Sequence, residues 1–155
     1  MRKVVLVLVA VLAFNLSNAQ WTTKFYVDDF GEPTSDSYES MISEGVFSNS
    51  ATQNSKALYA FIKNNETLTI KVLEYGRSLA TSTEATFETV KIKTPTGVVE
   101  IKKVFFSKSG RLYFSKDSFN QVAEAISESG DYIMIFKRSG RYSDSSYKIK
   151  FSISN

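Results

Sequence analysis

Apolar and polar residues alternate at a period of two along most of this chain, and that pattern excludes most folds. In the last stretch Tyr147, Ile149, Phe151 and Ile153 face one way, and Ser146, Lys148, Lys150 and Ser152 face the other. Strands send successive side chains to opposite faces, whereas a helix repeats every 3.6 residues. Trp21, Thr23, Phe25 and Val27 show the same alternation and predict a half-buried strand. Asp28–Asp36 is rich in turn formers, and Tyr38–Phe47 predicts a second strand in which Gly45 marks a bulge or bend. Leu58–Lys63 and Thr67–Tyr75 form a hairpin through Asn64-Asn65-Glu66, and Phe87–Thr94 and Val98–Phe106 form another through Pro95-Thr96-Gly97. Arg111–Phe114, Tyr132–Lys137 and Tyr147–Ile153 complete nine strands. Two long polar segments, Ser48–Lys56 and Gly76–Ala85, read as loops.

One segment departs from this period. Phe119, Val122, Ala123 and Ile126 fall at the spacing of an amphipathic helix, which packs on the sheet. Ser115 or Asp117 is expected to cap its start, and Gly130 its end. Strands with one late helix imply a mainly β chain: an antiparallel β-sandwich, or a closed barrel, of about nine strands. No linker or repeat divides residues 20–155, which read as a single domain.

The N-terminus carries a different signal. Arg2 and Lys3 precede an unbroken apolar run from Val4 to Phe14, and Ser17-Asn18-Ala19 suits a small-residue cleavage site. Eleven apolar residues fall short of the ~20 that a spanning helix needs. Residues 1–19 therefore read as a secretory signal peptide cut between Ala19 and Gln20, and the mature chain is expected in the periplasm or outside the cell, with no membrane span.

The absence of cysteine means that no disulfide braces this exported domain, so its core must stabilise it alone. With no histidine or cysteine, Ser-His-Asp and Cys-His catalysis and the common zinc sites are excluded. Carboxylates, Lys, Tyr, Ser and Thr are the remaining catalytic resources. Glu74, Glu84 and Glu88 flank the second polar loop and are the candidate pair for glycoside hydrolysis, which needs two carboxylates ~5 to 10 Å apart. Asp28, Asp29, Glu32, Asp36 and Glu39 cluster near the first turn but lack the spacing of a dedicated calcium loop. Ser145-Ser146-Tyr147-Lys148 matches an S-x-x-K string, which needs a helix and here enters a strand. Neither a cofactor nor a metal is expected.

Charge is uneven. Residues 20–87 hold 5 basic and 9 acidic residues, and residues 88–155 hold 12 basic and 7 acidic. A basic half can mark an anionic partner. The lysines of Val90-Lys91-Ile92-Lys93 and Lys148-Ile149-Lys150 nevertheless alternate with apolar residues, which places them on the solvent faces of strands. Nucleic acid is not an expected partner of an exported chain.

Trp21, Asp29-Phe30-Gly31-Glu32-Pro33-Thr34, Phe47-Ser48-Asn49-Ser50-Ala51-Thr52, Glu74-Tyr75-Gly76 and Ser143-Asp144-Ser145-Ser146-Tyr147-Lys148 together resemble a set of small exported Bacteroidota proteins. These share a tryptophan start, a D-x-F-G turn and an F-S-N-S-A-T stretch. The resemblance implies export and a β-sandwich; it brings no activity and no functional residues. The expected function is that of a non-enzymatic binding or interaction module using the loops Ser48–Lys56 and Gly76–Ala85, with a protein or a glycan as partner. The alternatives are a carboxylate-based glycan hydrolase and a periplasmic structural or inhibitory partner of another protein.

The intact mass of the exported protein should match a chain beginning at Gln20, with or without cyclisation of that residue. A mature N-terminus before residue 15, or retention in the inner membrane, would contradict cleavage after Ala19.

Overall fold

The computed structural model describes residues 20–141 and 143–154; the signal peptide read from residues 1–19 lies outside them. The strands are β1 (Thr22–Val27), β2 (Pro33–Ser48), β3 (Ser55–Lys63), β4 (Thr67–Glu74), β5 (Ser78–Leu79), β6 (Thr86–Lys93), β7 (Val98–Phe106), β8 (Arg111–Ser115), β9 (Gly130–Arg138) and β10 (Ser145–Ile153). One helix, α1 (Asp117–Ala125), lies between β8 and β9.

Of the two architectures the alternation allows, the closed barrel is the one formed. Eight antiparallel strands run in the order β2-β10-β9-β6-β7-β8-β4-β3, and β3 pairs back onto β2. Closure leaves this set without a free edge. An eight-stranded barrel has an interior that side chains just fill. Here Phe47, Tyr59, Phe61, Ile92, Phe106 and Ile149 are among the fully or almost fully buried residues that fill it. Aromatic rings interlock within it: Phe136 stacks on Tyr147 at 5.0 Å, and Phe61 meets Phe151 at 5.4 Å. The outer face carries the polar half of the alternation, including Lys91, Lys93, Lys148 and Lys150. This polarity is the inverse of a membrane-spanning barrel, whose outward residues form an apolar band. Among the described residues no helix is long and apolar enough to cross a membrane.

Five expectations are corrected, the last of them at Gly45. The first strand is not half-buried: all six residues of β1 are exposed. It pairs only with Pro33–Ser40 of β2, where no second layer lies against the hairpin. Alternation marks a strand but does not say whether anything covers it. Trp21, just before β1, reaches the barrel, meeting Phe61 edge-on at 6.2 Å with the Lys63 ammonium 4.8 Å from its ring. Secondly, the first turn ends sooner than expected. The Asp28 carboxylate accepts the amides of Phe30 and Glu32, which closes the turn and frees Pro33 to open β2. Thirdly, a tenth strand, β5, sits inside the segment read as the loop Gly76–Ala85 and pairs with β4.

The fourth correction concerns the helix ends. Its stripe is as expected, with Val122 fully buried and Ile126 nearly so. Neither Ser115 nor Asp117 caps its start through a side chain. Lys116 adopts a left-handed φ of 51° at the N-cap, and Ser118 Oγ reaches back to accept the Ser115 amide and donate to the Ser115 carbonyl. Ile126 ends the helix, whereas Gly130 opens β9 at φ 154°, where a Cβ would lie 2.6 Å from Pro95 Cγ.

Gly45 is not a bulge. It pairs in unbroken register with Ala57 on one side and Ile149 on the other. Its role is close approach: a Cβ there would drive into the Lys148 carbonyl oxygen and lie 2.8 Å from Tyr59 Cε2. Gly45→Ala should therefore destabilise the domain by ~2 kcal/mol or more, because backbone cannot yield as a side chain tip can. Gly97→Ala, with nothing within 4 Å of its would-be Cβ, should stay within about 0.5 kcal/mol of the parent. Urea midpoints of the two variants check this; equal midpoints would contradict a tight β2–β10 contact.

Candidate functional site

The two polar segments have different structures. Ser48–Lys56 is held in shape by its own polar groups. The Asn49 side-chain oxygen accepts the amides of Ala51 and Thr52, and Ser48 Oγ accepts the Asn54 amide. Ser48 and Asn54 line an external groove described below. Gly76–Ala85, by contrast, is tied to the barrel, with Ser78 and Leu79 paired to Glu74 and Leu73 of β4. Ala80 is buried and its amide bonds the Val72 carbonyl at 3.0 Å; the Ser82 amide bonds the Lys108 carbonyl at 2.9 Å. The Arg138 guanidinium, 5 % exposed, holds this segment down. It donates to the Ala80 carbonyl and, at 3.1 Å, to the Ser107 carbonyl, and it sits 4.4 Å from the Phe106 ring centre. Its terminal nitrogens are bonded to carbonyls while its buried Nε has no hydrogen-bond partner; a buried cation tied to two carbonyls and a ring face is a structural clamp.

The carboxylates have separate structural tasks. Glu74 accepts the Tyr147 hydroxyl at 2.8 Å. Glu88 is buried and accepts the Ser139 amide at 3.2 Å. Glu84 is exposed. Of these three only Glu88 lines the groove. In the first turn Asp28 is engaged with backbone amides, and Glu39 pairs with Lys63 at 2.6 Å. Among the described residues no three His, Cys, Asp or Glu side chains gather where they could hold a metal ion. The S-x-x-K string lies in β10.

The barrel brings the lysines together. Strand order places β9 between β6 and β10, although these strands are far apart in the sequence. Ile135 pairs with Lys91 on one side and Lys148 on the other; Ile133 pairs with Lys93 and Lys150 in the same way. All four lysines are exposed, and so is Lys137 on β9. Two strand spacings separate Lys91 from Lys148, ~10 Å, and two residues along a strand separate successive rows, ~7 Å. Lys91 meets Glu100 at 3.4 Å. Lys93, Lys137, Lys148 and Lys150 make no ion pair among the described residues. Of this set Lys91, Lys137 and Lys148 line a groove of about 690 Å³. Ile135 and Phe87 give it apolar surface, and Thr89, Ser139 and Ser146 add polar groups.

Phe87 also begins an aromatic row that crosses the barrel wall. It pairs with Phe105 on β7, which pairs with Tyr113 on β8. Ring centres lie 5.5 and 6.0 Å apart, with tilts of 54° and 34°. Phe87 is 71 % exposed and Phe105 37 %. Lysine field and aromatic row thus form one surface over β10, β9, β6, β7 and β8. Two smaller clefts flank α1. One carries Glu124 and Glu128 and no lysine or arginine; the other has Tyr38 and Phe119, but its one cation, Lys63, is closed in a pair with Glu39.

Sequence reasoning located Lys91, Lys93, Lys148 and Lys150 on solvent faces, made no statement about Lys137, and did not gather them. The signal was present in the period-two lysines, but their meeting depends on the pairing of β6 with β9, which no hairpin announces. No family model, curated protein or solved structure matches the chain.

Two phenols under this wall respond to pH. Burial holds the Tyr59 and Tyr147 hydroxyls well above the usual tyrosine range, and the Glu74 carboxylate beside Tyr147 adds to the shift there. Unfolded tyrosine ionises near pH ~10. The folded state thus keeps protons that the unfolded chain loses, and this contribution to stability is complete below pH ~10 and shrinks above it. Urea midpoints should fall between pH 9 and 11, and Tyr147→Phe should make that fall shallower. A parent midpoint that is flat across this range would contradict the assignment.

Proposed function

We propose that this chain is an exported, non-enzymatic binding module that recognises an anionic partner through its outer wall over β6, β9 and β10. One observation carries the reading. Lys91, Lys137 and Lys148 on three adjacent strands line a groove with apolar surface, and Lys137 and Lys148, like Lys93 and Lys150 farther along the same wall, have no carboxylate paired with them among the described residues. Exposed lysines held apart by mutual repulsion create a positive potential that an anion relieves. The cationic N-terminus, the apolar run and the small-residue exit of residues 1–19 support export. A binding role rather than hydrolysis is supported by the carboxylates, since Glu74 and Glu88 are engaged in structural hydrogen bonds. The loop Ser48–Lys56 keeps a part in recognition because Ser48 and Asn54 line the groove. The segment Gly76–Ala85 is instead fastened to the barrel by its pairing with β4 and by Arg138.

Charge-matched double variants test the reading. Lys137→Glu with Lys148→Glu should elute from a dextran sulfate column at clearly lower salt than Lys24→Glu with Lys108→Glu, which changes net charge equally at exposed sites off this wall. Equal elution of the two would contradict a localised site.

A further inference from the structure

Resting on the anionic-partner reading, we propose that the natural occupant of this wall is an acidic polysaccharide, a chain of sugar rings bearing carboxylates or sulfates at intervals. It lies across the strands from Lys148 and Lys137, over Ile135, to Phe87 and along the row Phe105 and Tyr113.

The chemistry of a sheet face sets the first constraint. Every backbone amide and carbonyl of a barrel strand's interior is used by its neighbours, so an occupant of the wall meets side chains only. An extended peptide needs partners for its own backbone, which a sheet edge supplies and a sheet face does not. A sugar chain has no such backbone. Its hydroxyls match the short polar side chains in the groove, Ser48, Asn54, Thr89 and Ser146, and its C–H faces match Ile135 and the rings.

The second constraint is shape. The lysines border a groove, with Ile135 on its floor. A flat anionic bilayer would meet the rims and leave that floor uncovered. A narrow chain enters it.

The third constraint is repeat. Cations ~10 Å apart across β9 and ~7 Å apart along the strands suit charges spaced along a polymer better than one compact anion. Past Phe87 the lysines give way to the aromatic row, and the track over five strands extends ~19 Å, room for several sugar rings. The rings of that row are tilted rather than coplanar. Successive sugars in a twisted chain also turn relative to one another, so a ribbed strip can contact more than one of them. Single-stranded nucleic acid shares the need for cations and rings. It is less well matched here, because Phe87, Phe105 and Tyr113 pack against one another and leave no gap for a base between them.

Titrating the exported chain with galacturonate oligomers of increasing length tests this. Binding should tighten with length until the track is filled and weaken as salt rises. Lys148→Glu and Phe87→Ala should each weaken it at least about tenfold, while leaving the melting midpoint within a few degrees of the parent. Parallel probes are polyglutamate, oligo-dT, and vesicles of phosphatidylglycerol in phosphatidylcholine. If any of them binds as tightly as a galacturonate oligomer of equal charge, the glycan assignment falls and the anionic wall stands. If no polyanion binds, both fall. If Lys148→Glu weakens binding and Phe87→Ala does not, the extension along the aromatic row is wrong.

Discussion

Strand β2 hydrogen-bonds along both of its edges, with β3 on one side and with β1 and then β10 on the other. The outer surface of the molecule depends on that double pairing. It closes the sheet, removes the edges of the eight barrel strands and fixes β10 beside β9, and β9 beside β6. Closure requires the β2 and β10 backbones to come very close at Gly45, where no side chain would fit. Ser43 helps at the same corner, donating through its hydroxyl to the Lys150 carbonyl at 2.7 Å. One short stretch of β2 thus sets both the barrel and the lysine field on its wall.

The chain uses positive charge in two ways. Arg138 is inside, bonded to carbonyls and laid against Phe106, and it fastens a loop. The wall lysines are outside and exposed, with only Lys91 drawn to a carboxylate among the described residues. A buried cation without hydrogen bonds is costly, so its surroundings evolve to satisfy it. An exposed lysine costs little, and a group of them stays available for a ligand. That contrast separates the clamp from the recognition surface more clearly than residue type does.

The faces of the strands were legible in the sequence, because alternation is a local property: the residues read as inward in β10, Tyr147, Ile149 and Phe151, are buried. Strand order was not. Hairpins such as β6–β7 follow from short turns, but β6–β9 and β2–β10 join segments far apart in the chain, and local pattern carries no record of them. The exposure of β1 was missed for a related reason, since Phe25 and Val27 look like core residues until the absence of a covering layer is known. The helix cap was missed because Lys116 takes a backbone conformation that is uncommon for its type. At the site, individual lysines were legible and their convergence was not; the aromatic row, which needs β6, β7 and β8 in register, was equally hidden.

Backbone contacts across the closing strands test this account most directly. In one sample of the exported chain, nuclear Overhauser effects should link Ile42 with Ala60, Val46 with Lys148, and Ile135 with both Lys91 and Lys148, as the register of the barrel requires. Contacts between β2 and β3 without any between β2 and β10 would mean an open sheet, and the lysine wall would lose the closure on which it depends.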